Sequence, residues 1–394
     1  MRRVEFGSLF HFIRNGLSVK QDKAGDGLPI SRIETISRGF VDPRRVGFAG
    51  LQEEDCAEWL LLEGDILFSH INSVEHIGKC AVYEGAPKNL VHGMNLLCLR
   101  SNPTHLLPSY GKHLIRSGYF RQKLLKYVNK SVNQASVSVG NLKTIQVEVP
   151  DIEQQRCIAA ILDKADAIRR KRQQALALAD DFLRSAFLEM FGDPVTNPKG
   201  WELVPLGKLG RLERGRSVHR PRNAPELLGG QYPLIQTGDV ASALGGRISK
   251  FRQTYSELGL NQSRMWPKGT LCITIAANIA DAAFLDFDAC FPDSVVGFTS
   301  DEQTKAYVYG LLIFLKPLID KKAPQVAQKN ITLEMLRGLP APSPDREAKE
   351  HFAKFMLAHQ KLLKQLWADE GGGLFASLSQ RAFRGDLSPA SVPA

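Results

Sequence analysis

Side chains suited to reading the edges of nucleic-acid bases gather in turn-like settings along this sequence. In the first part they are Arg44-Arg45, His70-Ile71-Asn72-Ser73, Lys79 and Asn133-Gln134. In the second they are Asn261-Gln262-Ser263-Arg264, Asn278 and the run from Gln325 through Gln328-Lys329. Arg and Lys can pair with the O6 and N7 of guanine, Asn and Gln with the N6 and N7 of adenine. Cations suited to phosphate lie beside them. Between Glu84 and Glu148 there are 63 residues with no Asp or Glu and nine Lys or Arg, including Arg116, Arg121, Lys123 and Lys130. Further on, Arg214, Arg216, Arg220 and Arg222 cluster with only Glu213 among them, and Lys321-Lys322 and Lys329 form a later patch. A stretch so unbalanced attracts phosphate groups. Any one of these residues also suits a solvated loop, and the argument for contact rests on finding such groups in both parts.

Chemistry of other kinds is not written here. There is no G-x-x-x-x-G-K-[ST] phosphate loop, no G-x-G-x-x-G after a strand and no G-x-S-x-G elbow. Asp286 and Asp288 share a face of an apparent strand, but no other acidic ligands converge on them, so no metal is expected. Asp293, Glu302 and Lys305 have the wrong spacing for a nuclease cluster. The six cysteines form no C-x-x-C pair and read as reduced, packed thiols. The expectation is a reader without catalytic residues, cofactor or metal.

The charge agrees with a polyanionic partner. The net +10 and pI near 9.3 are unevenly spread. Residues 1–150 carry 19 Lys and Arg against 14 Asp and Glu, and residues 200–344 carry 17 against 13, while 151–199 balance at 8 each. The excess therefore lies in two segments flanking a neutral one. No apolar run reaches membrane-spanning length, and Met1-Arg2-Arg3-Val4-Glu5 opens no secretory signal, so a cytoplasmic location is expected.

The elements that must position these side chains are two long helices. Ile158, Ile161, Leu162, Ala165, Ile168, Ala175, Ala179, Phe182 and Ala186 recur every three or four positions, which predicts one apolar helix face from Asp151 to a stop at Gly192-Asp193-Pro194. A second run, Phe352, Phe355, Met356, His359, Leu362, Leu363 and Leu366, repeats that spacing after Pro344, with a flexible break expected at Gly371-Gly372-Gly373.

What precedes each helix also repeats, with a period near 200 residues. Val4-Glu5-Phe6-Gly7-Ser8-Leu9 and Gly16 return as Val204-Pro205-Leu206-Gly207-Lys208-Leu209 and Gly215. Pro29-Ile30 returns as Pro233-Leu234, and Glu63-Gly64-Asp65-Ile66-Leu67-Phe68 as Lys268-Gly269-Thr270-Leu271-Cys272-Ile273. A unit this large is a duplicated domain. The framework residues repeat while most of the polar candidates differ, a pattern that suits two related domains reading different half-sites.

Several motifs carry a resemblance. Pro150-x-x-Glu153-Gln154-Gln155-x-x-Ile158-x-x-Ile161-Leu162-Asp163-Lys164-Ala165-Asp166, then Phe191-Gly192-Asp193-Pro194 with Asn197-Pro198-x-Gly200-Trp201, and Leu374-Phe375-Ala376-Ser377-Leu378 with Arg381-Ala382-Phe383, resemble the specificity subunits of type I restriction–modification systems. The second helix departs from that pattern, since Asp345-Arg346-Glu347 lacks the Glu-Gln pair.

The resemblance implies an α+β fold in which two target recognition domains, 1–150 and 194–344, are joined by two antiparallel spacer helices, 151–193 and 345–386, with a disordered tail at 387–394. It implies a bipartite double-stranded DNA target and docking of two methyltransferase subunits and of restriction subunits. Methyl transfer from S-adenosylmethionine and ATP-driven translocation and cleavage would belong to those partners. A pseudo-twofold repeat would set the two readers about a helical turn apart, roughly 34 Å. The rival reading is a non-DNA scaffold, two adhesion-like domains on a coiled-coil strut.

Overall fold

The computed structural model describes residues 1–131, 134–322, 330–368, 371–384 and 386. The chain divides into two compact units, Met1–Lys171 with Glu370–Ala394, and Arg172–Asp369. Each unit holds one mixed α+β head and part of the helix that runs from Ile152 to Phe191.

The first head opens on the strand Arg2–Glu5, which pairs antiparallel with the strand that closes the head, Gln146–Val149. Its centre is a four-stranded antiparallel sheet in the order Phe10–Asn15, Leu97–Ser101, Ile66–Phe68, Cys80–Val82. Ile66-Leu67-Phe68 reads as an unbroken apolar run because both faces of this strand are covered. Side chains alternate across a strand, so Ile66 and Phe68 join the core built on Phe6, Tyr110 and Phe120, while Leu67 joins the opposite one with Ile36, Leu61 and Tyr83.

The second head repeats the scheme. Leu203–Pro205 pairs antiparallel with Pro340–Pro342, and the strand Leu271–Thr274 lies inside a five-stranded sheet. Leu271 and Ile273 enter one core and Cys272 the other. Matching backbone bonds recur: Phe6 N donates to Ile145 O and Leu206 N to Leu339 O, at 2.8 and 2.9 Å. Gly64 and Gly269 take φ values of +92° and +82° at the turns before the equivalent strands. Gly16 and Gly215 mark close approaches, since an added Cβ would stand 2.4 Å from the Gly93 carbonyl carbon and 2.2 Å from the Phe291 carbonyl oxygen.

The first long helix runs Ile152–Phe191, 40 residues, or about 60 Å at 1.5 Å per residue. Asp151 Oδ1 accepts from Gln154 N at 2.8 Å, a side-chain cap on an otherwise unpaired amide. The second long helix, Arg346–Ala368, starts the same way, with Asp345 Oδ1 accepting from Ala348 N at 2.8 Å. The stop after Phe191 is a built device. Gly192 takes φ +76°, Lys199 Nζ donates to Glu189 O and Met190 O, and Trp201 Nε1 donates to Phe191 O. The Asn197–Trp201 turn thus satisfies carbonyls that a helix end leaves open.

One helical expectation changes. Ile168 and Phe182 are 52% and 59% exposed, and the second-unit stripe instead runs through Ala179, Leu183, Ala186 and Phe187. A face drawn straight over 40 residues drifts, because 3.6 residues per turn is not matched by a repeat of three or four. The second long helix ends at Ala368, and Gly371-Gly372-Gly373 form the first turn of a separate helix at Gly371–Arg384, the residues between lying outside those described. The tail at 387–394 lies outside the described residues.

Within the second unit, Phe187 meets Phe352, Phe182 meets Phe355, and Ala179 O meets His359 Nε2. One number falls as the other rises, so the helices run antiparallel. Within the first unit, Phe375, Leu378, Ala382 and Phe383 of the last helix pack on the core that holds Ile158 and Leu162, and Arg169 lies over the Phe375 ring at 5.4 Å.

Candidate nucleic-acid interface

In the first head the candidates are brought together by one short-stranded sheet and one turn. The strand Ile71–Asn72 pairs with Ala135–Ser136, which pairs with Asn129–Lys130. Asn72, Lys130 and exposed Gln134 therefore share one small sheet and its tip, where Ser131 N donates to Gln134 O at 2.8 Å. Asn133 lies outside the described residues.

Beside this sheet, Lys79 Nζ donates to Ser37 O and Arg45 Nη1 to Ser37 Oγ, which draws Arg45 and Lys79 to one corner. Asp42, 5% exposed, organises that corner. It accepts from Arg44 N at 3.0 Å and faces Arg38 and Arg45 at 3.4 and 3.5 Å. Its charge is thereby spent locally, whereas the Arg44 side chain has no partner among the described residues.

Other candidates of this head are engaged internally. His70 is 7% exposed and lies beneath the surface, and burial holds its pKa below the ordinary histidine value. Arg116 faces Asp166 of the long helix at 3.6 Å. Arg121 donates to the carbonyls of Val74, Glu75 and Ile77, bracing the loop before Lys79. Lys123 lies over the Tyr119 ring at 4.7 Å.

In the second head, Gln262 Oε1 accepts from Val218 N and His219 N at 2.7 and 3.0 Å, and Ser263 Oγ donates to Arg216 O at 2.9 Å. These bonds tie the basic segment 216–222 to the 261–264 turn, so Arg216, Arg220, Arg222 and Arg264 border one surface, whereas Arg214, on the other strand face from Glu213, lies beside Glu334. Asp293 holds Arg222 at 2.7 Å and Arg220 at 3.8 Å. Arg264 lies over Trp266 at 4.1 Å and pairs with Glu213 at 2.9 Å. The hydrogen bond from Arg264, with Arg211 beside it, holds the Glu213 carboxyl below its usual range.

Exposed Asn278 sits on the loop after Leu271–Thr274, at the same sheet end as Gly215, since Ile275 N bonds to Ser294 O and Gly215 N to Val295 O. Lys322 ends the helix Glu302–Lys322, and Gln328 and Lys329 lie outside the described residues.

Asp286 and Asp288 do not share a strand face. They lie in the bend between Ala282–Leu285 and Ala289–Cys290, where Asp286 pairs with Arg247 and Asp288 Oδ1 accepts from Lys268 N. Among the described residues no three His, Cys, Asp or Glu side chains converge as for a metal, and no helix is long and apolar enough to cross a membrane.

The family description "Type I restriction modification DNA specificity domain" matches this chain twice, over residues 2–178 and 198–368. The chain belongs to this family. The two matches fall on the two copies of the repeat. A putative type I restriction enzyme MjaX specificity subunit from Methanocaldococcus jannaschii is 32% identical over 379 residues, covering 91% of this chain and 87% of that protein. The type I restriction enzyme EcoKI specificity subunit of Escherichia coli K12 is 27% identical over 201 residues, covering 50% of this chain and 43% of that one. Among solved structures, the type I restriction–modification S subunit from M. genitalium matches with a TM-score of 0.64 at 12% identity, covering 97% of this chain and 96% of that one. That likeness shows a shared fold.

For a specificity domain, the residues that sequence reading passed over are informative. Arg38 and Asp42 complete the first corner, and their signal was an acid flanked by arginines four residues before and three after. Trp266, at the end of the strand Met265–Trp266, supports the Arg264 guanidinium two residues before it.

Proposed function

We propose that this chain is the DNA sequence-specificity subunit of a type I restriction–modification complex, reading a bipartite double-stranded target with one half-site per head. The observation that carries the reading is the duplication itself. The two heads share a closing strand pair and its matching backbone bond, yet the polar side chains on their basic surfaces differ. A duplicated reader with different contact residues in each copy suits a target whose halves differ and whose middle goes unread.

In this reading the long helices act as a ruler and as the surface on which two methyltransferase subunits and the restriction subunits dock. Methyl transfer from S-adenosylmethionine and ATP-driven cleavage then take place on those partners, and this chain contributes binding and register. Its arginines at the surface supply phosphate contacts, which position the protein, and its Asn, Gln and Arg groups supply base contacts, which specify sequence.

The test is binding of the intact chain, with its methyltransferase partner, to duplex DNA between 50 and 200 mM salt. The reading expects affinity to fall steeply, by about 0.9 log units per log unit of salt for each phosphate contacted. An affinity absent at low salt, or indifferent to salt, would favour the scaffold reading.

A further inference from the structure

The first head has a depression of about 200 Å³ lined by Ile33, Glu34, Ile36, Ser37, Ser69, Asn72, His76 and Lys79. Its rim is the corner just described, since Ser37 is touched by both Arg45 and Lys79. A carboxylate in such a place would repel phosphate, and the nearby Asp42 avoids doing so by being buried and held by two arginines. Glu34 differs. Its side chain is 42% exposed and, among the described residues, pairs with Arg32 alone, at 3.4 Å.

We propose that Glu34 is a specificity-determining residue of the first head, accepting a hydrogen bond from the exocyclic amine of a cytosine or an adenine, with Asn72 and Lys79 reading neighbouring base edges. The proposal rests on the DNA-reading function above. An ionised Glu can only accept. In the major groove the only base-edge donors are cytosine N4 and adenine N6, so the carboxylate restricts what it can meet. Half-buried Ile33 on the rim adds apolar surface of the kind that meets a thymine methyl.

The second head supports the assignment by contrast. The turn that holds Glu34 is capped by Thr35 Oγ1 accepting from Arg32 N, and its counterpart by Asp239 Oδ2 accepting from Gln236 N. Aligned on those caps, Glu34 falls on Gly238, which has no side chain to read with. Loss of Glu34 should therefore affect one half-site only.

The experiment is genome-wide mapping of methylated bases in cells carrying the complete system with E34Q or E34A in place of the natural chain. The expected result is a consensus degenerate at one position of one half-site, with the other half-site and the gap unchanged, and discrimination at that position reduced roughly ten-fold or more. An unchanged consensus overturns the proposal. If methylation is lost altogether, the affinity ratio between the target duplex and one substituted at each position decides. A ratio falling toward one at a single position supports the role, and ratios equal to those of the natural chain overturn it. Failure of the underlying function would look different, because then even the natural chain would produce no dependent motif.

Discussion

The imidazole Nε2 of His359 stands 2.9 Å from the carbonyl oxygen of Ala179, with both residues buried where the two long helices meet. The carbonyl can only accept, so the ring must carry its proton on Nε2. His359→Leu keeps the apolar contact with Phe355 and removes this bond. We expect the variant to lose about 1 kcal/mol of stability, as for a typical intramolecular hydrogen bond, read as a lower urea midpoint with an unchanged slope.

Acid should weaken the first head well above the carboxylate range. Burial holds His92 and His113 at about 4, against an ordinary 6.5, although His92 donates to Leu96 O and His113 to Asp163. The unfolded chain therefore takes up protons first, and the stability of the neutral folded rings, fully present above pH 6.5, is lost progressively as pH falls toward 4. The expected loss is on the order of 3 kcal/mol per ring. Denaturant titrations at pH 7, 5.5 and 4.5 would follow it, and His113→Gln should flatten the dependence.

Asp163 adds to this only at lower pH. Burial raises its pKa, but hydrogen bonds from Lys112 and His113 outweigh that and hold the carboxyl below 3.8. Its contribution is present above that value and disappears below it. Asp163→Asn should leave the loss between pH 6.5 and 4.5 largely in place.

Arg44 and Arg216 have exposed side chains without partners among the described residues. Replacing either by Ala should change stability by no more than about 0.5 kcal/mol. For a phosphate contact, DNA affinity should fall by a similar factor on every sequence, and the salt slope should drop by about 0.9. Fluorescence anisotropy on matched and scrambled duplexes measures both.

Inserting four residues near Ala175 lengthens the first helix by about 6 Å. The expected outcome is an altered unread gap in the methylated motif with both half-sites preserved.

Much of this was legible in the chain because glycine, proline and capping residues have local causes. Gly16 and Gly215 meet a neighbouring backbone, and Asp151 and Asp345 cap the helices. The unit repeat showed in those residues, and so did the helix stop at Gly192. Side-chain commitments were not legible, because they depend on contacts distant in sequence. Arg116 reads as a free cation until Asp166 is placed opposite it, and Arg121 until the 74–77 loop folds over it. The same holds for the helix face, where Ile168 and Phe182 were interchangeable with Leu183 and Phe187 until partners were known.

The most direct test of a two-headed reader is to map methylated bases across the genome with this chain present and with it deleted. The account predicts a motif of two short specified blocks around a fixed unread gap, seen only when the chain is present. A methylation pattern that is the same in both strains, or a chain-dependent motif that is one continuous block, would contradict it.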